Sequence, residues 1–172
     1  HFQENNRVLH DKKDYAPTYS HQWRPGWKRG VVNDANTRAM GGVSSHAGLF
    51  GGMDDLSKWS LLLRQTYYEG STWCKKETMQ KFTNRSILPA QGDWALGFML
   101  PSKHKSSSGK FFGEQSIGHL GFTGTSFWFD PERDLIINIL SNRYIPPKRG
   151  RDFKDLRPLL HNWVVGQIGG GS

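Results

Sequence analysis

Hydrophobic residues recur every three or four positions in two long stretches of the chain, which is the spacing of one face of an α-helix. The first stretch follows the acidic pair Asp54 and Asp55 and stops at Gly70, a residue type that commonly ends a helix. A shorter helix is predicted over residues 75–82. The second long stretch lies near the C-terminus, and its apolar positions are Phe153, Leu156, Leu159, Leu160, Trp163, Val164 and Ile168.

Short apolar runs separated by turn residues predict strands in the second half of the chain. Three of them, at residues 115–122, 124–130 and 135–141, follow one another closely, and residues 131–134 have the composition of a hairpin turn. Short connections of this kind join antiparallel strands. We therefore predict an antiparallel meander, which needs further strands or helices to cover its edges and faces.

The remaining segments are less regular. Residues 94–100 form an apolar run that predicts a further strand, and residues 101–110 form a polar loop. Residues 41–52 are a glycine-rich loop. Residues 1–30 show no clear period, and prolines interrupt their aromatic positions, so we predict an irregular, partly buried segment there. Together these elements indicate an α/β (α+β) class, with an antiparallel sheet flanked by helices.

The composition fits one ordinary domain, because 172 residues can bury a core and a 13% aromatic content argues against disorder. No run approaches the roughly 18 apolar residues that a membrane span needs. The single cysteine, Cys74, excludes an internal disulfide and a cysteine-built zinc site. We assign residues 1–168 to one domain region and residues 169–172 to a flexible linker or engineered remnant.

The net charge of +8 allows a nucleic-acid-binding domain as one interpretation. The basic residues are spread along the chain, however, with small clusters only at residues 103–110 and 148–154. Neither cluster has the interleaved aromatic residues that stack on bases. A generally basic, solvated surface is the simpler interpretation, so nucleic acid is not the expected partner.

Two Ser-x-x-Lys sequences occur, beginning at Ser102 and Ser107. The motif supplies a nucleophile and its base when a helix places the lysine one turn after the serine. Both copies lie in the polar loop, where nothing desolvates the lysine, so neither is a credible nucleophile. The histidines His46, His119 and His161 are too far apart to match a zinc-binding spacing, and no metal or cofactor is expected.

The most distinctive stretch is at residues 118–125, with the sequence GHLGFTGT. Glycine inside a strand usually marks a bulge, or the close approach of another backbone or of a ligand. Gly121 beside His119 therefore suits a strand whose edge faces a substrate. A bend of the strand with a buried His119 is the structural alternative.

Four segments taken together resemble the C-terminal part of a known family. They are NDANTRAMGGVSSHAGLF at 33–50, DDLSKW at 54–59, GHLGFTGTSFWFDPERD at 118–134 and LSNR at 140–143. In content and in order they are similar to the serine β-lactamase-like hydrolases, which include class C β-lactamases, D-alanyl-D-alanine carboxypeptidases and related esterases. The resemblance implies a β-lactamase/penicillin-binding-type fold, to which this chain supplies the C-terminal strands and helix.

The family builds its catalytic site from a Ser-x-x-Lys motif, a Tyr-x-Asn-like motif and a Lys/His-x-Gly strand. The resemblance puts His119 and Gly121 on the third motif. His119 would then assist proton transfer or hold substrate, and Gly121 would let the substrate backbone approach. Phe122 would offer its backbone N–H to the oxyanion hole, and Thr123 beside it would bind substrate.

The same resemblance implies further substrate contacts. The glycine-rich loop would line the site wall, so Ser45 and His46 could touch substrate, with a purely structural turn as the alternative. Arg149 and Arg151 lie in the basic loop near where related enzymes hold a substrate carboxylate, which suits a bidentate guanidinium. A merely solvated basic loop is the simpler alternative there.

The first two motifs of the family should precede residue 16, and neither is present in the 15 residues before it. We therefore predict the C-terminal portion of a serine hydrolase that acts through an acyl-enzyme on cell-wall peptides, β-lactams or esters. Its expected partner is an N-terminal portion of the same protein carrying Ser-x-x-Lys and Tyr-x-Asn, without which it is inactive. The alternative is a non-catalytic module of this fold that binds cell-wall fragments. The resemblance also implies an extracytoplasmic location, periplasmic or in the cell envelope.

Overall fold

The chain forms two compact units, residues 1–54 and 55–172, and each has its own antiparallel sheet. The first sheet has two strands and the second has three. The structure is a computed structural model that describes residues 11–21, 24–85, 92–143 and 153–169.

The first unit begins with an antiparallel hairpin. Strand β1 covers Pro17–His21 and strand β2 covers Arg24–Arg29. The prediction of an irregular segment over residues 1–30 is therefore wrong for this part of it. The register of the pair shifts at two points along β1, so the regular alternation that identifies a strand in a sequence is interrupted.

A short helix that the sequence did not predict follows the hairpin. Helix α1, Ala35–Ala39, has five residues, too few to show a period. Asp34 caps its start by accepting a hydrogen bond from the backbone N–H of Thr37 at 2.8 Å. Tyr15 is buried, and its ring lies edge-on to Phe50 with the centroids 5.4 Å apart. The core of this unit is thus small and partly aromatic.

Two helices come first in the second unit, close to their predicted positions. They are α2, Met53–Tyr68, and α3, Lys76–Thr83. Gly70 has a φ of +83°, the left-handed conformation in which helices commonly end, so it stops α2 as predicted. The buried residues of α2 lie three apart along one face and are Ser60, Leu63 and Thr66.

The predicted meander and the hairpin turn at residues 131–134 are confirmed. Each strand is shorter than its prediction because turns occupy the residues between the strands. Buried Asp130 fixes the hairpin by accepting hydrogen bonds from the backbone N–H groups of Glu132 and Gly113, at 2.9 and 3.0 Å. The strands pair in the order β3-β4-β5 and cover Ile117–Leu120, Ser126–Asp130 and Leu135–Ile139.

Residues 94–100 do not form the strand that their apolar run predicted. They contribute two isolated antiparallel bridges, one from Trp94 to Met99 and one from Met99 to Gly118. Gly97 has a φ of +82°, so the chain reverses within the run instead of continuing as a strand. Met99 therefore lies beside β3, on the edge away from β4.

Helices cover both faces of the three-stranded sheet. On one face, Val164 and Val165 of helix α4, Phe153–Gly169, pack against a cluster that contains Trp128 and Ile137. The predicted class, an antiparallel sheet flanked by helices, is thereby confirmed. On the other face, α2 and α3 pack against the sheet in a buried cluster of Leu63, Met79, Ala95, Leu100, Ile117 and Phe129.

None of the helices in the described ranges is long and apolar enough to cross a membrane. Among the same residues, β5 pairs with β4 along one edge, and its other edge meets no further strand. The prediction that one edge of the meander needs a further strand named neither edge.

The imidazole of His161 on α4 is fully buried and links the helix to a loop. Its Nδ1 is 2.9 Å from the carbonyl oxygen of Ser107, and its ring lies edge-on to Phe112. Burial lowers the pKa of His161 below its usual 6.5, a shift that the Ser107 carbonyl opposes and the charge of Arg157 increases. The folded protein therefore binds this proton less readily than the unfolded chain does.

Because the unfolded chain takes up the proton first, His161 should make the protein less stable as the pH falls below 6.5, the ordinary value for its ring. The expected loss is up to about 1.4 kcal/mol per pH unit. Urea unfolding at pH 7.5 and 5.5 measures it. The change in the free energy of unfolding between the two pH values should shrink in His161→Gln. It should persist in His104→Gln, which alters an exposed histidine. An equal slope in all three proteins would contradict the assignment.

Candidate active site

His119 lies at the end of β3, opposite Phe127 of β4, and its side chain is exposed. The alternative of a buried His119 is therefore wrong. The ring Nδ1 is 3.1 Å from the carbonyl oxygen of Leu120. Because a carbonyl only accepts hydrogen bonds, this contact corresponds to the tautomer with its proton on Nδ1.

The indole of Trp94 stands beside this histidine. The two ring centroids are 5.6 Å apart, with the planes inclined at 66°. The bridge from Trp94 to Met99, and that from Met99 to Gly118, hold the tryptophan next to β3. Trp94 keeps 38% of its surface exposed, so an aromatic face and a titratable ring lie together at the surface.

A tight turn at residues 121–125 follows His119 and leads into β4. The N–H of Gly121 donates to the carbonyl of Thr125 at 2.8 Å, and the N–H of Gly124 donates to the carbonyl of Gly121 at 3.1 Å. A Cβ on Gly121 would lie 2.0 Å from the Thr125 hydroxyl oxygen, so only glycine fits without rearrangement of Thr125. Gly124 has a φ of +120°, which side-chain-bearing residues rarely adopt.

Phe122 and Thr123 form the outer part of this turn. Phe122 is 67% exposed, and the guanidinium carbon of Arg143 lies 4.3 Å from the centre of its ring. The backbone N–H of Arg143 donates to the carbonyl of Thr123 at 3.0 Å. The segment after β5 therefore brings a positive charge to the turn.

A second arginine lies on the inner side of the same turn. Arg157 of α4 is 6% exposed, and its Nη2 donates to the carbonyl oxygens of Gly121 and Thr125, both at 3.0 Å. Burial, and then the neighbouring charge of Arg143, lower the pKa of Arg157. A guanidinium remains charged at neutral pH even so, since its ordinary pKa is above 12. The turn thus lies between two cationic side chains.

In the first unit, His46 takes part in a polar cluster of its own. Its Nδ1 lies 2.5 Å from the hydroxyl of Ser44, and its Nε2 lies 3.1 Å from a carboxylate oxygen of Asp34. The Thr37 N–H, and then His46, lower the pKa of Asp34 to about 2. Ser45, which the sequence also put at the site, is exposed in the same loop.

The predicted site residues thus fall into three groups. His119, Gly121, Phe122 and Thr123 come together at the end of β3. Ser45 and His46 belong to the first unit. Arg149 and Arg151 lie outside the described residues, so their predicted contact with a carboxylate stays a prediction.

The sequence reasoning missed Trp94, Arg143 and Arg157. Trp94 lies in a run whose apolar composition predicts a strand, and its contact with His119 depends on the reversal at Gly97. Arg143 closes the LSNR segment, where a single arginine gives no indication of its contact with Phe122. Arg157 is 32 residues from Thr125 along the chain, and the local sequence of α4 does not indicate a contact between residues so far apart.

The comparison with known proteins concerns the family and the fold of the chain. A family model described as Beta-lactamase matches residues 8–160. A solved beta-lactamase from Mycobacterium bovis superposes with a TM-score of 0.57 at 24% identity, covering 70% of this chain and 46% of that one. At that identity the likeness shows the fold alone.

Two curated relatives from Salmonella extend the comparison, and both carry the provisional name of a D-alanyl-D-alanine carboxypeptidase. The protein from Salmonella gallinarum is 31% identical over 152 residues, which is 82% of this chain, and that from Salmonella typhi is 30% identical over the same length. The chain spans 35% of the length of each relative. Since the family match extends over most of the chain, the chain belongs to the Beta-lactamase family.

Proposed function

We propose that this chain forms one wall of the active site of a serine hydrolase that works through an acyl-enzyme. The observation that carries the proposal is the end of β3, where exposed His119 and the Gly121 turn lie beside Trp94 in a chain of the Beta-lactamase family. An exposed, glycine-bearing strand end lets an extended substrate lie close to the backbone.

The nucleophile comes from another portion of the same protein, which carries Ser-x-x-Lys and Tyr-x-Asn. The serine oxygen attacks the substrate carbonyl, and its proton passes to the neighbouring base. The backbone N–H of Phe122 and that of the serine stabilise the oxyanion. The leaving group takes up a proton as it departs, with Nε2 of His119 assisting the transfer, and water then hydrolyses the acyl-enzyme.

The substrates are cell-wall peptides ending in D-alanine, β-lactams or small esters. A free carboxylate, present in the first two classes, is attracted by the positive charge that Arg143 gives the turn. Thr123, Arg149 and Arg151 bind that carboxylate. The names of the Salmonella relatives favour the peptides, and with them an extracytoplasmic location.

The test compares turnover of three substrate classes by the complete protein, that is, this chain together with the portion carrying Ser-x-x-Lys. D-alanine release from a peptide ending in D-Ala-D-Ala, opening of a β-lactam and cleavage of a p-nitrophenyl ester are followed separately. Residues 1–172 alone serve as the control and should turn over none of them. Turnover by residues 1–172 alone would overturn the proposal, as would its absence for all three substrates with the complete protein. If the complete protein binds a peptidoglycan peptide without cleaving it, the non-catalytic module replaces the enzyme.

A further inference from the structure

Arg157 is the residue that joins helix α4 to the turn at residues 121–125. One nitrogen, Nη2, donates to two carbonyl oxygens, those of Gly121 and Thr125, each at 3.0 Å. The N–H of Gly121 donates to that same Thr125 carbonyl at 2.8 Å, so the three groups form one hydrogen-bonded unit. The side chain is buried beneath the turn and has no role in the chemistry described above.

The bonds that the Gly121 carbonyl accepts, from Arg157 and from the N–H of Gly124 at 3.1 Å, also fix the direction of the next N–H group. In a planar trans peptide the C=O and the following N–H point in opposite directions. Because Arg157 draws the Gly121 carbonyl towards α4, the N–H of Phe122 is turned away from α4. Phe122 is the residue whose N–H is assigned to the oxyanion hole, and its exposed side chain indicates that this part of the turn faces outwards.

The charge on Arg157 adds an electrostatic contribution to this orientation. Hydrogen bonds from an ionised donor are about twice as strong as neutral ones. A carbonyl that accepts such a bond polarises its peptide group, which makes the attached N–H a better donor. The bond from Arg157 therefore makes the Phe122 N–H more positive, which favours an anion beside it.

We propose that Arg157 is a positioning residue that holds the Gly121–Phe122 peptide in the orientation needed to stabilise the oxyanion. This inference rests on the proposed function, because it assumes that the turn meets a reacting carbonyl. Arg157 does not touch the substrate in this account. It acts through the two carbonyls that it binds.

The first arm of the test needs no activity. Amide hydrogen exchange is measured by NMR in the 172-residue chain and in Arg157→Met, Arg157→Lys and Asn162→Ala. Asn162 is the matched control, because it is on the same helix and its Oδ1 accepts from the backbone N–H of Lys110 at 2.7 Å. Exchange of the Gly121 N–H should rise at least about 10-fold in Arg157→Met, and by less in Arg157→Lys. A 10-fold change corresponds to the net stability of about one hydrogen bond, here one donated by Arg157 to the turn. Asn162→Ala should leave it unchanged.

The second arm measures acylation of the complete protein by a fluorescent penicillin. The acylation rate constant should fall about 10- to 100-fold in Arg157→Met, somewhat less than for outright loss of an oxyanion donor. Arg157→Lys should recover part of the rate, and Asn162→Ala should react as the unmodified protein does. The non-covalent dissociation constant should stay within about two-fold, because the oxyanion forms only in the transition state.

The outcomes separate the two proposals. If the unmodified complete protein is not acylated by penicillin and turns over none of the three substrate classes, the proposed function fails, and the exchange arm still decides whether Arg157 orders the turn. If the protein is acylated and both Arg157 variants react at the unmodified rate, the positioning role is overturned. If Arg157→Met does not fold, Arg157→Lys decides: a normal rate, or a loss confined to binding, overturns the inference.

Discussion

Replacing His119 by alanine should lower the acylation rate of the complete protein by about 100-fold, the lower end of what a general acid or base contributes. The reason is the proposed role of Nε2 in proton transfer, since Nδ1 contacts the Leu120 carbonyl. The side chain is exposed, so the change should cost less than about 0.5 kcal/mol of folding stability. Stopped-flow acylation by a chromogenic β-lactam measures the rate, and urea unfolding checks the stability.

Two further variants separate chemistry from the mere loss of a histidine. His104→Ala removes an exposed histidine from the polar loop and should leave the rate unchanged. His119→Lys should retain more activity than His119→Ala, because the resemblance allows lysine or histidine at this position. A normal rate in His119→Ala would remove this residue from the mechanism.

Replacing Gly118 by alanine should destabilise the protein by about 3 kcal/mol, the upper part of the usual range for overpacking. A Cβ on Gly118 would lie 2.5 Å from the backbone oxygen of Phe127 and 2.5 Å from the ring of Trp128. Neither neighbour can move easily, because the oxygen is part of β4 and the ring is fully buried. Backbone hydrogen bonds to Met99 hold Gly118 from the other side. Urea unfolding followed by tryptophan fluorescence measures the change.

The same substitution at Gly166 provides a matched control with the opposite sign. Gly166 lies within α4, and among the described residues a Cβ there would meet no atom within 4 Å apart from its chain neighbours and the backbone of its own helix. Alanine is favoured over glycine inside a helix by about 1 kcal/mol, so Gly166→Ala should stabilise the protein. Equal effects of the two substitutions would contradict the packing that the structure assigns to Gly118.

The elements that the sequence predicted well are those whose pattern is local. Helix α2 shows a helical period and ends at a glycine in the left-handed conformation. The pair β4 and β5 is joined by a four-residue turn that suits an antiparallel hairpin. Such signals need only neighbouring residues, because period and turn chemistry are properties of a short window.

The elements that the sequence mispredicted depend on a reversal or a shift within an otherwise plausible run. Residues 94–100 are apolar because Ala95 and Leu100 belong to the buried cluster, and the chain reverses at the exposed Gly97 instead of extending as a strand. The hairpin of β1 and β2 was missed because its register shifts interrupt the alternation. Neither feature leaves a periodic trace in the sequence.

The candidate site shows the same division. His119 and Gly121 were found because the resemblance marks their motif and because glycine in a strand is unusual. Trp94 and Arg157 were missed because their contacts join segments far apart in sequence, from Trp94 to His119 and from Arg157 to Gly121. A single sequence carries little information about such pairings.

The most direct measurement of the central claim is the position of a covalent adduct. The complete protein is incubated with benzylpenicillin, weighed intact by mass spectrometry, and then digested to find the labelled peptide. The protein should gain the mass of one penicillin, on a serine followed three residues later by lysine, outside residues 1–172. An adduct on a residue of this chain would contradict the claim that this chain supplies the wall opposite the nucleophile.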